Sequence, residues 1–194
     1  DGDDVELSIA NLPEGHDSNA DQIAFWNGVA GRHWTDRQSV QDIVLTPVTE
    51  KLIARTNAKA GQCILDIGCG CGAITIELAK QVGPSGHVLG IDISVPMLER
   101  ARQLTGKELP ADYVLADATV YPFEPGSFDV LASRFGVMFF ADPALSFANM
   151  RKALRPSGRL RLSPVPRSTS TCMSRSAATR STASRSAFQS RGTV

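Results

Sequence analysis

Ile64-Leu65-Asp66-Ile67-Gly68-Cys69-Gly70-Cys71-Gly72 is a short apolar run that ends in alternating glycines, and a helical pattern opens directly after it at Ala73. An apolar run of this length bounded by glycine reads as a buried strand, and the glycines permit a tight turn into the next helix. Such a turn brings main-chain N–H groups at a helix start close to whatever lies above the strand end. The segment is therefore a candidate ligand loop, and its neighbours decide which ligand.

Working outward, short apolar runs alternate with helical segments from Gly61 on, the pattern of a parallel sheet with crossover helices. Five strands are predicted, at 63–67, 88–93, 113–115, 128–133 and 159–162. The helices between them are predicted at 73–82, 95–104 and 143–154, with an irregular segment over 116–127. Pro84-Ser85-Gly86, Glu124-Pro125-Gly126-Ser127 and Pro156-Ser157-Gly158 supply turn chemistry ahead of strands. Upstream, one helix is predicted at 21–28, carrying Ile23, Phe25 and Trp26. A second at about 36–55 carries the stripe Val40, Ile43, Val44, Val48, Leu52 and Ile53, with Pro47 as a place for a kink.

The bulk properties agree with one α/β domain. The 194 residues suffice for one such core and not for two, and 42% hydrophobic with 21% charged residues is ordinary for a soluble globular chain. No apolar run approaches the roughly 20 residues of a membrane span. The first six residues hold four acidic side chains, which no secretory leader does, so a cytoplasmic location is the expectation. Cys63, Cys69, Cys71 and Cys172 then read as free thiols, and their spacing offers no metal site. The zero net charge is uneven. Residues 161–194 hold six Arg and no other charged side chain, which leaves 14 basic against 20 acidic over 1–160, a net of −6 that argues against nucleic acid as a partner.

Gly68, Gly70 and Ala73 satisfy the G-x-G-x-x-A spacing of dinucleotide loops, so a nicotinamide-dependent oxidoreductase is a rival reading. Three acids weigh against it or beside it. Asp66, two residues before the first glycine, would repel a diphosphate but suit a ligand bearing an ammonium and a sulfonium. Asp92, ending the second strand, can accept hydrogen bonds from both ribose hydroxyls. Asp117, after the third strand in Ala116-Asp117-Ala118, can accept one from an adenine amino group. Singly, Asp92 also reads as a helix N-terminal charge, Met97 as core packing and Asp117 as a turn former.

Asp-x-Gly-x-Gly-x-Gly, an acid ending strand two, Asp-Ala after strand three and Phe128-Asp129-Val130 opening strand four resemble the motif set of class I S-adenosylmethionine-dependent methyltransferases, in its usual order. The segment Ser133-Arg134-Phe135-Gly136-Val137-Met138-Phe139-Phe140, with Asp142-Pro143 and then Leu154-Arg155-Pro156-Ser157-Gly158-Arg159-Leu160, is similar to the small-molecule branch that includes the ubiquinone and menaquinone biosynthesis methyltransferases. The likeness covers roughly residues 25–162. It implies a Rossmann-like, doubly wound, mainly parallel sheet with an N-terminal helical lid at 21–60, and S-adenosyl-L-methionine as cofactor. It further implies that Gly68, Cys69 and Gly70 line the methionine portion and that Asp66 orients that loop. Asp92 would hold the ribose, Ile93 and Met97 would pack on the adenine faces, and Asp117 with the Ala118 N–H would read the adenine edge. Ser133 and Arg134 would border the methionine group.

Methyl transfer from a sulfonium is a displacement that needs chiefly alignment, so no dedicated catalytic residue is assigned. His33, beside Trp34, is the one histidine placed where a base could stand; His16 lies in a polar leader over 1–20 and His87 at a strand edge. Trp26, Trp34 and Phe135, with Phe139 and Phe140, suggest a small, partly apolar methyl acceptor. A third possibility is a derivative that binds cofactor without catalysis. Residues 163–194 are rich in Ser, Thr and Arg, follow no period, and stand where the resembled family has a further helix and two strands. They are expected to be disordered, and their abrupt start is the mark of a shifted reading frame near Leu160, which an apolar, strand-bearing continuation in another frame would support.

Overall fold

The computed structural model describes residues 19–163. The expectations for the polar leader and for the tail lie outside them, apart from residues 19, 20 and 163. The described elements, in chain order, are α1 (Ala20–Asn27), α2 (Val29–Asp36), α3 (Gln38–Thr56), β1 (Cys63–Ile67), α4 (Ala73–Val82), β2 (His87–Asp92), α5 (Val95–Leu104), β3 (Ala111–Leu115), β4 (Phe128–Ser133), a 3-10 turn (Gly136–Phe139), α6 (Pro143–Ala153) and β5 (Leu154–Leu162).

The sheet order is β3-β2-β1-β4-β5 and every described pairing is parallel. The order reverses between β1 and β4, and in an open parallel sheet ligands lie outside the carboxyl ends of the strands at such a switch point. The glycine loop follows β1 there. Strand alternation divides the core in two. Leu65 and Ile67 turn to one face and pack with Met150 and Ala153 of α6, while Ile64 turns to the other with Val130, Leu52 of α3 and Leu78 of α4. Burying a Leu or Ile side chain is worth about 1.5–3 kcal/mol, so both faces hold the loop's strand firmly.

Besides shifts of one or two residues at the ends of β2, β3 and α6, three details differ from the sequence reading. Three helices precede the sheet, because Gly28 ends α1 and α2 follows it directly; Asn19 and Ala20, placed in the leader by composition, already cap and begin α1. Helix α3 runs through Pro47 as one element. Strand β5 begins five residues early, since Leu154 pairs with Phe128 and Arg159 with Val130, and the turn residues Pro156-Ser157-Gly158 form an irregularity inside the strand. Among the described residues β5 pairs only with β4, and no helix is long and apolar enough to cross a membrane.

Candidate functional site

The loop after β1 is held mainly by its own polypeptide. Gly68 and Cys69 both donate their N–H to Ile91 O, at 2.9 and 3.2 Å, and Gly72 donates to Cys69 O at 3.0 Å. Gly70 N–H donates to Asp92 Oδ2 at 2.8 Å, and Asp92 Oδ1 accepts from Ser94 N at 2.9 Å. The N–H groups of Gly68, Cys69, Gly70 and Gly72 thus already have acceptors within the protein. Gly68, Gly70 and Gly72 all have positive φ, the region that favours glycine.

Gly68 also meets Gly136 across the switch point. A Cβ on Gly68 would stand 2.5 Å from Gly136 Cα, and one on Gly136 would stand 2.6 Å from Ile67 O. The turns after β1 and β4 therefore touch backbone to backbone, and neither admits a side chain. Ser133 braces the same junction by donating from Oγ to Ile67 O at 2.8 Å while accepting from Val137 N at 3.3 Å. Its hydroxyl is engaged inside the protein rather than turned to a ligand.

Asp66 is buried on the α4 face, where Thr75 Oγ1 donates to its Oδ2 at 2.7 Å. Its Oδ1 is buried with no hydrogen-bond partner. Burial raises the carboxyl from 3.8 to about 7, against the lowering effects of Thr75 and of the nearby Arg134 cation. Burial also raises Asp92, and the N–H groups of Gly70, Ser94 and Ile93 oppose it. A buried carboxylate oxygen without a donor is costly, and a ligand's ammonium would satisfy it. The acidic pair beside the glycine loop suits a cationic ligand such as S-adenosylmethionine better than a diphosphate, which two carboxylates would repel.

The remaining expected contacts separate into two groups. Met97 is buried with its terminal methyl 3.0 Å from where a Gly70 Cβ would stand, so it packs on the loop itself. Ile93 is half-buried beside it, and its carbonyl accepts from Asn27 Nδ2 at 2.7 Å. Asp117 is buried after β3, its Oδ1 accepting from Thr119 N at 2.8 Å. The Ala118 side chain lies in the core on the α6 side, and its carbonyl accepts from Asn149 Nδ2 at 3.0 Å. The Cys69 side chain turns away from the loop's open side into the cluster of Leu98, Ala101 and Tyr113, so only its backbone can line a ligand. Burial pushes the Cys69 thiol well up and that of Cys71 to about 12. Arg134 reaches α3, donating to Thr49 Oγ1 at 2.7 Å and lying 3.7 Å from Asp42 Oδ1.

Helix α1 is fastened to the turn after β2. Asn27 Oδ1 accepts from Val95 N at 2.8 Å, and Ser94 Oγ donates to Trp26 O, also at 2.8 Å. The Trp26 ring meets Trp34 at 6.2 Å and Phe139 at 5.1 Å between centroids, both edge to face. Phe135 holds a left-handed backbone at φ 71°, a strained conformation for an aromatic residue. Phe140 packs on Phe147 in the core and leaves the acceptor group proposed from sequence, and His33 is exposed on α2. Sequence reasoning missed Asn19, Thr75 and Gly136 as site-forming residues; Gly136 alone carried a signal, as the glycine following β4.

Residues 64–158 match the model of a methyltransferase domain. Among curated relatives, the demethylmenaquinone methyltransferase of Lactobacillus johnsonii is 36% identical over 114 residues, 57% of this chain and 47% of its own length. The nocamycin O-methyltransferase of Saccharothrix syringae is 38% identical over 124 residues, 62% of this chain and 44% of its own. This chain spans less than half the length of the curated relatives it matches. Among solved structures, a phosphoethanolamine N-methyltransferase of Haemonchus contortus, in complex with phosphomonomethylethanolamine and S-adenosylhomocysteine, aligns with a TM-score of 0.56 at 29% identity, over 65% of this chain and 31% of that one. The switch-point loop, the acids around it and these likenesses agree: the chain carries a class I S-adenosylmethionine-dependent methyltransferase domain, similar to those of the quinone methyltransferases, with S-adenosyl-L-methionine as its cofactor.

Proposed function

We propose that the protein transfers a methyl group from S-adenosylmethionine to a small, partly apolar acceptor. The observation that carries this reading is the buried, unpartnered Asp66 Oδ1 beside the glycine loop after β1. The bound cofactor supplies an activated methyl on a sulfonium. Asp66 would hold its ammonium, Asp92 its ribose hydroxyls and Asp117 its adenine amino group, with Met97 and Ile93 against the base. The protein's part is alignment and exclusion of water, which effective molarities value at roughly 7–11 kcal/mol.

Trp26, Trp34 and Phe135, with Phe139, offer an apolar flank at the carboxyl end of β4, and this supports an aromatic or otherwise apolar acceptor. The quinone and nocamycin relatives support the same class by their names alone. A screen for labelled methyl transfer over quinol, phenol and small amine acceptors tests the reading. Turnover on the quinols or phenols is expected; turnover confined to charged amines would overturn the acceptor class.

A further inference from the structure

One buried polar cluster beside the proposed adenine subsite joins three segments distant in sequence, at Asn19, at Asp117 and Thr119, and at Ala141 to Ser146. Asn19 is 4% exposed, and its Nδ2 donates to Asp117 Oδ2 at 2.6 Å and to Thr119 Oγ1 at 3.3 Å. Its Oδ1 accepts from Ala141 N at 3.3 Å. Thr119 Oγ1 shares a 2.8 Å hydrogen bond with Ser146 Oγ of α6, a residue with no exposed surface. An asparagine at a helix N-cap ordinarily accepts from the helix's own N–H groups. Asn19 makes no such bond and commits both ends of its amide to the loops after β3 and before α6. Burying an amide is costly without partners, so a fully engaged buried amide fixes the geometry of what it touches.

What it touches is the carboxylate that the proposed function gives to the adenine edge. An ionised carboxylate offers about four acceptor positions. Asn19 takes one on Oδ2 and Thr119 N takes one on Oδ1, leaving one on each oxygen for a ligand. We infer that Asn19 is a specificity-determining positioning residue, which locks the Asp117 carboxylate in the orientation that selects a 6-amino purine over a 6-oxo purine. A 6-oxo group would turn a carbonyl oxygen toward a carboxylate that cannot rotate away, and a site built around one hydrogen bond discriminates strongly against a ligand that cannot make it.

This inference rests on the proposed role of Asp117, and its test separates the two. The full chain is titrated with S-adenosylhomocysteine and with S-inosylhomocysteine, whose purines differ in the 6-substituent and in the proton that the oxo form carries on N1, and the ratio of the two Kd values is compared across variants. The unsubstituted protein is expected to prefer the amino ligand by on the order of tenfold or more. Asn19→Ala should cut that preference to roughly threefold or less while leaving affinity for the inosyl ligand nearly unchanged. Should the alanine variant bind neither ligand, Asn19→Leu, which keeps roughly the volume but removes the donor to Asp117, carries the same expectation. An unchanged ratio in a variant that binds, or tighter binding of the amino ligand, overturns the positioning role. Asp117→Ala is the control: if it too leaves the ratio unchanged, the adenine assignment itself is wrong, whereas a ratio lost in Asp117→Ala but kept in the Asn19 variants refutes Asn19 alone.

Discussion

Replacing Asp92 with alanine removes two things at once. Within the protein, the N–H groups of Gly70 and Ser94 lose their acceptors, at 2.8 and 2.9 Å. Hydrogen bonds to a charged group contribute about 1.5–3 kcal/mol each, but the native state already holds this carboxyl above its ordinary range because burial disfavours the charge, which offsets part of the loss. A net destabilisation of about 2 kcal/mol follows. Toward the ligand, two ribose hydroxyls lose a charged acceptor, about 3 kcal/mol or more, which is a hundredfold or greater loss in affinity. Urea unfolding reads the first effect, and calorimetric titration with S-adenosylhomocysteine reads the second on protein shown to be folded. A folded variant that binds within twofold of the original would refute the ribose assignment.

Gly136→Ala should destabilise the fold and weaken cofactor binding together, because its Cβ would stand 2.6 Å from Ile67 O and 2.7 Å from Gly68 Cα, both backbone atoms that cannot step aside alone. A melting temperature and affinity both unchanged would count against the backbone contact. Asp66 sets a pH dependence: burial pushes its carboxyl from the ordinary 3.8 up to about 7, so the folded state holds a proton that the unfolded chain has released, and stability should fall as pH rises across that window. An ammonium beside the same carboxyl favours its ionised form, so affinity for S-adenosylhomocysteine should rise from pH 6 to pH 8 by calorimetry; a flat or falling profile contradicts the contact. Cys69 and Cys71, both buried with raised thiols, should resist alkylation at pH 8 in the native state and react on unfolding, as peptide mapping would read.

The sheet was legible because its strands are apolar on both faces and end in turn residues, so that β1, β4, α4 and α5 fall at their expected bounds. The end of α1 at Gly28 was legible, but helix α2 was not, since it restarts at Val29 with no turn cluster between the two. The strand β5 was read short because Pro156-Ser157-Gly158 carries turn chemistry that the structure spends on an irregularity within the strand. Among site residues, Asp66, Asp92 and Asp117 could be singled out because a charge at a strand end needs a reason. The direction of Cys69, the bracing of Ser133 and the hold of α3 on Arg134 depend on which segments meet in space, and no local pattern encodes that. Asn19 lies 98 residues from Asp117, and nothing in the sequence pairs them.

The central claim is that the loop after β1 and the acids around it hold S-adenosylmethionine, not a dinucleotide. Titrating the full chain in parallel with S-adenosylhomocysteine and with a nicotinamide dinucleotide tests it most directly. Saturable binding of S-adenosylhomocysteine, lost in Asp92→Ala, with no saturable binding of the dinucleotide, is the expected result; saturable binding of the dinucleotide alone would contradict it.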